Sequence, residues 1–201
     1  FNGTAAIVIS PTRELTIQTY DVFRDLLHYH NHSHGILMGG ANRKTEIEKL
    51  KRGQEILIAT PGRLLDHLKS TIDFKYKNLQ QIIVDEADRC LEVGFEDELN
   101  EIFRILPKKK QIVMFTATSN RQINILSSFL FRKKPIYLDI QNEIQTDDPT
   151  NIIHGFTVCQ VEEKLQMLFS LVKKNQNKKV IVFFSSCNEV NFYSALFKLL
   201  N

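Results

Sequence analysis

A doubly wound α/β fold is what this sequence predicts, and three observations predict it. Short apolar runs at 6–10, 35–38, 56–59, 82–85, 112–115 and 136–138 show little internal polar alternation, as expected of strands covered on both faces. Stretches with apolar residues at helical spacing lie between them, at 17–28, 44–51, 64–69, 98–106 and 122–131. Strand and helix alternate in order, which calls for a parallel sheet with helices on either side.

The texture changes after Asp139. Residues 141–151 are polar and acidic, include Asp147, Asp148 and Pro149, and have no period; they read as a linker. A second α/β pattern follows, with a strand at 153–158, a helix at 163–174, a strand at 179–184 and a helix at 189–200. Two strand–helix units are too few for a doubly wound domain. The expected organisation is a first domain over 1–140, a linker over 141–151 and the beginning of a second domain over 152–201, with both ends cut from a longer chain.

Composition narrows the class. The 201 residues carry a net charge of +3, an excess that permits a nucleic-acid partner without demanding one. The basic clusters Lys108–Lys110 and Arg132–Lys134 read as solvated loop faces. No apolar run approaches the ~20 residues that cross a bilayer, so no membrane partner is expected. Cys90, Cys159 and Cys187 have no paired spacing, which argues for a reducing compartment and against a zinc site.

The sharpest chemical signal follows the fourth run. Asp85, Glu86 and Asp88 come directly after Ile82-Ile83-Val84, at the carboxyl end of a buried strand, where open α/β sheets bind their ligands. One carboxylate there can hold Mg²⁺ through water while its neighbour orients an attacking water. The plainer reading is that these acids cap the next helix.

Three other strand ends carry turns suited to phosphate. Pro11, Thr12 and Arg13 follow the first strand, Gly39 and Gly40 the second, and Thr60, Pro61, Gly62 and Arg63 the third. Free N–H groups at a helix start attract anions, glycine permits close approach, and arginine grips phosphate with two prongs. Such contacts touch the backbone and are blind to base sequence. Thr60-Pro61 is also ordinary helix-start chemistry, and Gly39-Gly40 an ordinary turn. The fifth strand ends in Thr116-Ala117-Thr118, whose hydroxyls are in a position to reach Asp88.

Taken in order, Pro11–Leu15, Gly39-Gly40, Thr60–Arg63, Asp85–Asp88 and Thr116–Thr118 resemble motifs Ia, the glycine doublet, Ib, II and III of the DEAD-box RNA helicases. Residues 180–184 resemble motif IV, in that family's second RecA-like domain. The stretches 36–43, 64–67 and 183–187 resemble its nucleolar branch, which assists large ribosomal subunit assembly. The resemblance implies an incomplete first RecA-like domain and the beginning of a second. It implies ATP and Mg²⁺ as cofactors, RNA and pre-ribosomal particles as partners, a nuclear and nucleolar place, and a monomer. Asp85 would hold Mg²⁺ through water, Glu86 would deprotonate the attacking water, and Asp88 would bond with Thr116 and Thr118. Pro11, Thr12, Arg13, Gly39, Gly40, Thr60, Pro61, Gly62 and Arg63 would hold the RNA backbone, and the helix over 64–69 would bend it.

Two departures stand out. Thr116 replaces the family's usual serine, which keeps the hydroxyl. No G-x-x-x-x-G-K-[ST] loop is present, nor any Gly-Lys pair, so these residues taken alone are expected to be inactive. A non-catalytic RNA-binding or interaction fragment is therefore the rival reading. A Mg²⁺-dependent phosphatase or receiver domain also places acids at strand ends but leaves Thr60–Arg63 and Thr116–Thr118 unexplained. Lesser signals read as structural: His28, His30, His32 and His34 as surface residues, Cys90 as core, and Phe169, Phe183, Phe184, Phe192 and Phe197 as core rather than a base-stacking platform.

Overall fold

Chain segments dense in Ile, Val and Leu form the core of the first of two compact units. The computed structural model describes residues 3–131, 133–139, 153 and 155–199 and divides into two compact units, Phe1–Leu138 and Asp139–Asn201. In the first, the order is β1 (Ala6–Ile9), α1 (Arg13–Leu26), β2 (His34–Leu37), α2 (Arg43–Arg52), β3 (Ile56–Ala59), α3 (Pro61–Ser70) and β4 (Gln81–Val84). Then come α4 (Ala87–Glu92), α5 (Glu96–Ile105), β5 (Gln111–Met114) and α6 (Arg121–Leu130).

Among the described residues the strands form one sheet in the order β2-β3-β1-β4-β5, parallel throughout. Ile7, Ile9, Leu57, Ile58, Ile82 and Val84 are fully buried, as a sheet covered on both faces requires. Leu64 from α3, Leu99 and Ile102 from α5, and Ile123 and Leu126 from α6 complete the core.

The register matters most for the site. Leu37 is level with Ala59, Ala59 with Ile9, Ile9 with Val84, and Val84 with Met114. All five strands therefore end on one line, and whatever follows them emerges along one edge. From β1 the chain runs to β2 on one flank, and from β4 to β5 on the other. The connections thus diverge between β1 and β4, the position where such sheets form a crevice.

Helix ends explain most boundary shifts. α1 begins four residues before its expected start because the Thr12 hydroxyl accepts from Leu15 N at 3.2 Å, a side-chain cap. α3 begins at Pro61, whose fixed φ and missing N–H suit a first helical position. The sequence reading missed α4, whose six residues are too few for a period to declare itself. The expected strand at 136–138 does not form. Ile136, Tyr137 and Leu138 are 90%, 70% and 84% exposed, because a short apolar run becomes a strand only where a neighbouring ladder accepts it.

In the second unit a 3₁₀ turn (Val161–Glu163) leads into α7 (Lys164–Lys174), and α8 (Cys187–Leu199) follows. Phe169 stacks on Phe197 at 6.2 Å and Phe184 on Tyr193 at 4.6 Å. No strand forms among the described residues of 153–158 or 179–184. Phe183 and Phe192 are exposed rather than core, since two helices offer too little surface to cover five phenylalanines. The expected linker over 141–151, and Arg132 of the second basic cluster, lie outside the described residues.

Candidate functional site

Along the carboxyl edge, turns suited to phosphate follow β2, β3 and β1, while the acids and hydroxyls follow β4 and β5. The first three turns form one groove of about 640 Å³. Pro11, Thr12, Arg13, Gly39, Gly40, Thr60, Gly62 and Arg63 all line it. Pro61 is buried at the start of α3 and stays out of the wall.

The glycines reveal what the groove is shaped for. Gly40 has φ +82° and lies under the Arg13 guanidinium, whose Nη1 would stand 2.9 Å from an added Cβ. Gly39 and Gly62 are different: neither has a left-handed backbone, and a Cβ at either would meet nothing within 4 Å. The protein itself gives no steric reason for glycine there. A Cβ at Gly62 would enter open space beside the groove that this residue lines, and its absence leaves room for close approach. Thr60 makes no side-chain cap on α3, so the helix-start N–H groups remain available to an anion. The Arg13 guanidinium has no hydrogen bond or ion pair among the described residues.

Gly62→Ala separates these causes. Alanine near a helix start is expected to leave stability unchanged or raise it by up to ~1 kcal/mol. Affinity for single-stranded RNA should fall all the same. Thermal melting and fluorescence anisotropy check the pair of outcomes, and unaltered affinity would mean that no ligand approaches α3 closely.

Arg63 is placed differently from the sequence expectation. Its Nε donates to Met38 O at 3.1 Å and its Nη2 to Ala41 O at 2.7 Å, while Glu46 Oε2 lies 3.2 Å from Nε. The side chain therefore clamps the Met38–Ala41 turn and has little left for RNA. Glu46, 5% exposed, also accepts from Met38 N at 3.2 Å and from the fully buried His67, Nε2 at 3.0 Å. His67 Nδ1 pairs with Thr71 Oγ1 at 2.9 Å. Neither Glu46 nor His67 was foreseen. The available signal was a charged side chain on the same helical face as Leu50, and a histidine between Leu64 and Leu68.

Asp66 lines the groove with its charge already answered: Arg43 Nε lies 2.8 Å away. The hydrogen bond from Arg43 outweighs burial and, with Ser70, holds its carboxyl below the ordinary value. Glu14 and Phe95 complete the wall.

On the other half of the edge, Asp85 N donates to Ile9 O at 2.9 Å and Ala87 N to Phe115 O at 2.9 Å, which ties the acid turn to both neighbouring strands. Asp85 Oδ1 accepts from Glu86 N at 3.0 Å. Glu86 is the chain's described non-glycine residue with positive φ, at 44°. A left-handed conformation costs about 1–3 kcal/mol for such a residue. Its Oε2 is buried without a hydrogen bond, and Arg89 Nε stands 3.8 Å off, beyond hydrogen-bond reach. A strained backbone carrying an unsatisfied carboxylate oxygen is poor chemistry for a mere helix cap. The helix shows no such cap: Glu86 is at its N-cap position and makes no capping bond.

Asp88 is 7% exposed. Thr118 donates to its Oδ2 twice, from Oγ1 at 2.9 Å and from N at 3.1 Å. Thr116 does not reach Asp88; its hydroxyl donates to Thr118 O at 2.9 Å and so braces the turn that Asp88 holds. Burial works to raise the Asp88 carboxyl, but bonds from Thr118 and the Arg89 amide outweigh it and leave the carboxyl below its ordinary value. Cys90 is no nucleophile. Burial, with Asp85, Glu86 and Asp88 nearby, pushes its thiol up to about 12.

The residues present fit a Mg²⁺-bound nucleotide. Mg²⁺ keeps most of its waters and takes one or two carboxylates plus substrate phosphates. Asp85, with one oxygen free of hydrogen bonds, suits that role. Among the described residues no group of three or more His, Cys, Asp or Glu could hold a metal ion. That includes the histidine run, where His32 instead pairs with Glu55 at 2.8 Å. No helix among the described residues is long and apolar enough to cross a membrane.

Comparison with known proteins gives a concordant picture. A family model described as DEAD/DEAH box helicase matches residues 1–126. The chain is 48% identical over 200 residues to the probable ATP-dependent RNA helicase pitchoune of Drosophila melanogaster, covering 100% of this chain and 29% of that protein. It is 46% identical over 200 residues to the ATP-dependent RNA helicase HAS1 of Pyricularia oryzae, covering 100% of this chain and 34% of that one. It is also 46% identical over 201 residues to HAS1 of Kluyveromyces lactis, covering 100% of this chain and 40% of the relative. The chain thus spans about a third of the length of the curated relatives it matches.

Proposed function

Because the chain belongs to the DEAD/DEAH box helicase family, we propose that the protein separates or remodels RNA strands at the expense of ATP. In this reading the acid half of the edge is the water-and-metal side of a nucleotide site, and the groove is half of an RNA track. The observation that carries it is the common edge: backbone-binding turns on three adjacent strands, then carboxylates and hydroxyls on the next two. The names of the relatives support it, since each is an ATP-dependent RNA helicase.

Bound ATP with Mg²⁺ supplies the transferable phosphoryl group and neutralises its developing charge. This chain's residues do the rest on their side. Asp85 would hold Mg²⁺ through water with the oxygen that Glu86 N leaves free. Glu86 orients the attacking water and accepts its proton at Oε2. Asp88, joined to Thr118 and through it to Thr116, links the β4 and β5 turns, so that a shift at one is felt at the other. Arg13 and the N–H groups opening α3 hold phosphates, and Gly39, Gly40 and Gly62 let the strand come close. Thr12, already the cap of α1, presents backbone rather than hydroxyl.

The finer reading is a nucleolar enzyme acting on ribosomal RNA precursors within pre-ribosomal particles. It rests on the resemblance of residues 36–43, 64–67 and 183–187 to that branch. With the whole protein, RNA should accelerate ATP hydrolysis, and ATP should drive release of one strand from a short RNA duplex. Hydrolysis indifferent to RNA, or release that proceeds equally without ATP, would overturn the proposal.

A further inference from the structure

Among the described residues Phe95 is the one aromatic side chain lining the groove, and its placement follows from how α4 ends. After Val93, Gly94 turns left-handed with φ +93°. Gly94 N donates to Leu91 O at 3.0 Å, and Phe95 N to Cys90 O at 2.9 Å. This pair of bonds is a Schellman cap, which closes a helix and fixes the direction of the residue after the glycine. Phe95 then sits at the N-cap of α5 with φ −87°. The ring is half-buried and belongs neither to the core cluster nor to the apolar side chains packed against it. This phenylalanine is held between two helices and left out of the core, and its uncovered part belongs to the groove wall.

The rest of the wall bears on what that part meets. Arg13 supplies charge, the α3 start supplies N–H donors, and Gly39 and Gly62 leave space. All these suit a phosphate backbone, and none of them is an aromatic ring on which a base or a ribose can pack. We propose that Phe95 supplies this missing contact, packing its ring on a base or ribose face of single-stranded RNA. In a duplex the base faces are stacked on one another, so the ring favours the unpaired strand. The contact is non-ionic and independent of base identity, because every base has a π-face. The inference rests on the groove's being the RNA track.

The test separates the two ideas by salt dependence. In the whole protein, Phe95→Ala and Phe95→Leu should each lower affinity for single-stranded RNA by about 5- to 150-fold. The slope of log K against log salt should not change, and Phe95→Tyr should bind normally. Leucine keeps apolar bulk without a flat face, so its loss would not be one of folding. Arg13→Ala is the reference and should reduce the slope by ~0.7, one phosphate contact on a single strand. If Arg13→Ala behaves so and both phenylalanine variants bind as well as the parent, the ring contact is refuted and the groove stands. If the phenylalanine variants lower the slope, the ring only positions Arg13, and the proposal is again refuted. An unchanged slope for Arg13→Ala removes the groove reading itself.

Discussion

Glu86→Gln, made in the whole protein, is expected to lower ATP turnover by about 10²- to 10⁴-fold, the range removed with a general base, while ATP and RNA still bind. Glutamine has the shape of glutamate, so the turn between β4 and α4 should persist at φ 44°. What it lacks is an oxygen able to take a proton. The Oε2 that makes no hydrogen bond is then replaced by a neutral group, and the only attraction lost is a long ion pair to Arg89 at 3.8 Å on a side chain 40% exposed, which is worth little. Stability should hold or rise slightly, the usual sign that a residue is kept for activity and not for folding. Single-turnover hydrolysis with saturating RNA, alongside binding of a fluorescent nucleotide, measures both halves. Turnover at the parent rate would strip Glu86 of its assigned role.

The second large effect lies outside the chemistry. Glu46→Ala is expected to destabilise the domain by ~3–5 kcal/mol, the loss seen when one member of a buried charged pair is removed. Two groups lose their acceptor together, Met38 N and His67 Nε2, and the Arg63 guanidinium loses its buried carboxylate partner. Water cannot easily replace it, since His67 is fully buried and Glu46 nearly so. The denaturant midpoint should fall with the m-value unchanged. RNA affinity should fall too, because the Met38–Ala41 turn that presents Gly39 and Gly40 loses the bond from Met38 N to Glu46 and Arg63 loses the carboxylate that orients it. Glu46→Gln, which keeps an acceptor for Met38 N, should lose less on both counts. A midpoint shift within the ~0.5 kcal/mol of an ordinary surface change would show that the network only decorates the fold.

These predictions differ in how far the sequence anticipated them. Asp85, Glu86 and Asp88 announce themselves, because acids after an uninterrupted apolar strand are costly unless used. Turn residues at three more strand ends are equally plain, and one sheet edge gathers them. Phe95 gave no signal: a single aromatic residue in a loop looks like any other, and the phenylalanines of the second unit read as core. Arg63 looked like a phosphate ligand because arginine after Thr-Pro-Gly suits one. Its guanidinium instead reaches back to carbonyls 22 and 25 residues away, a distance no local pattern can encode. The resemblance implied that both Thr116 and Thr118 bond with Asp88, yet the chain's turn brings only Thr118 there.

Periodicity of apolar residues determined, without any structure, that strands and helices alternate and that the sheet is parallel, since each run either can or cannot be covered on both faces. It also placed the acids and the glycine-bearing turns at strand ends. Strand order, and with it the division of one edge into a groove and an acid turn, was decided only by tertiary packing. So were the clamp of Arg63 by Glu46 and the placing of the Phe95 ring in the groove wall. The reason is physical: local patterns report which face of an element avoids water, whereas side-chain partners depend on which distant element packing brings within hydrogen-bond reach.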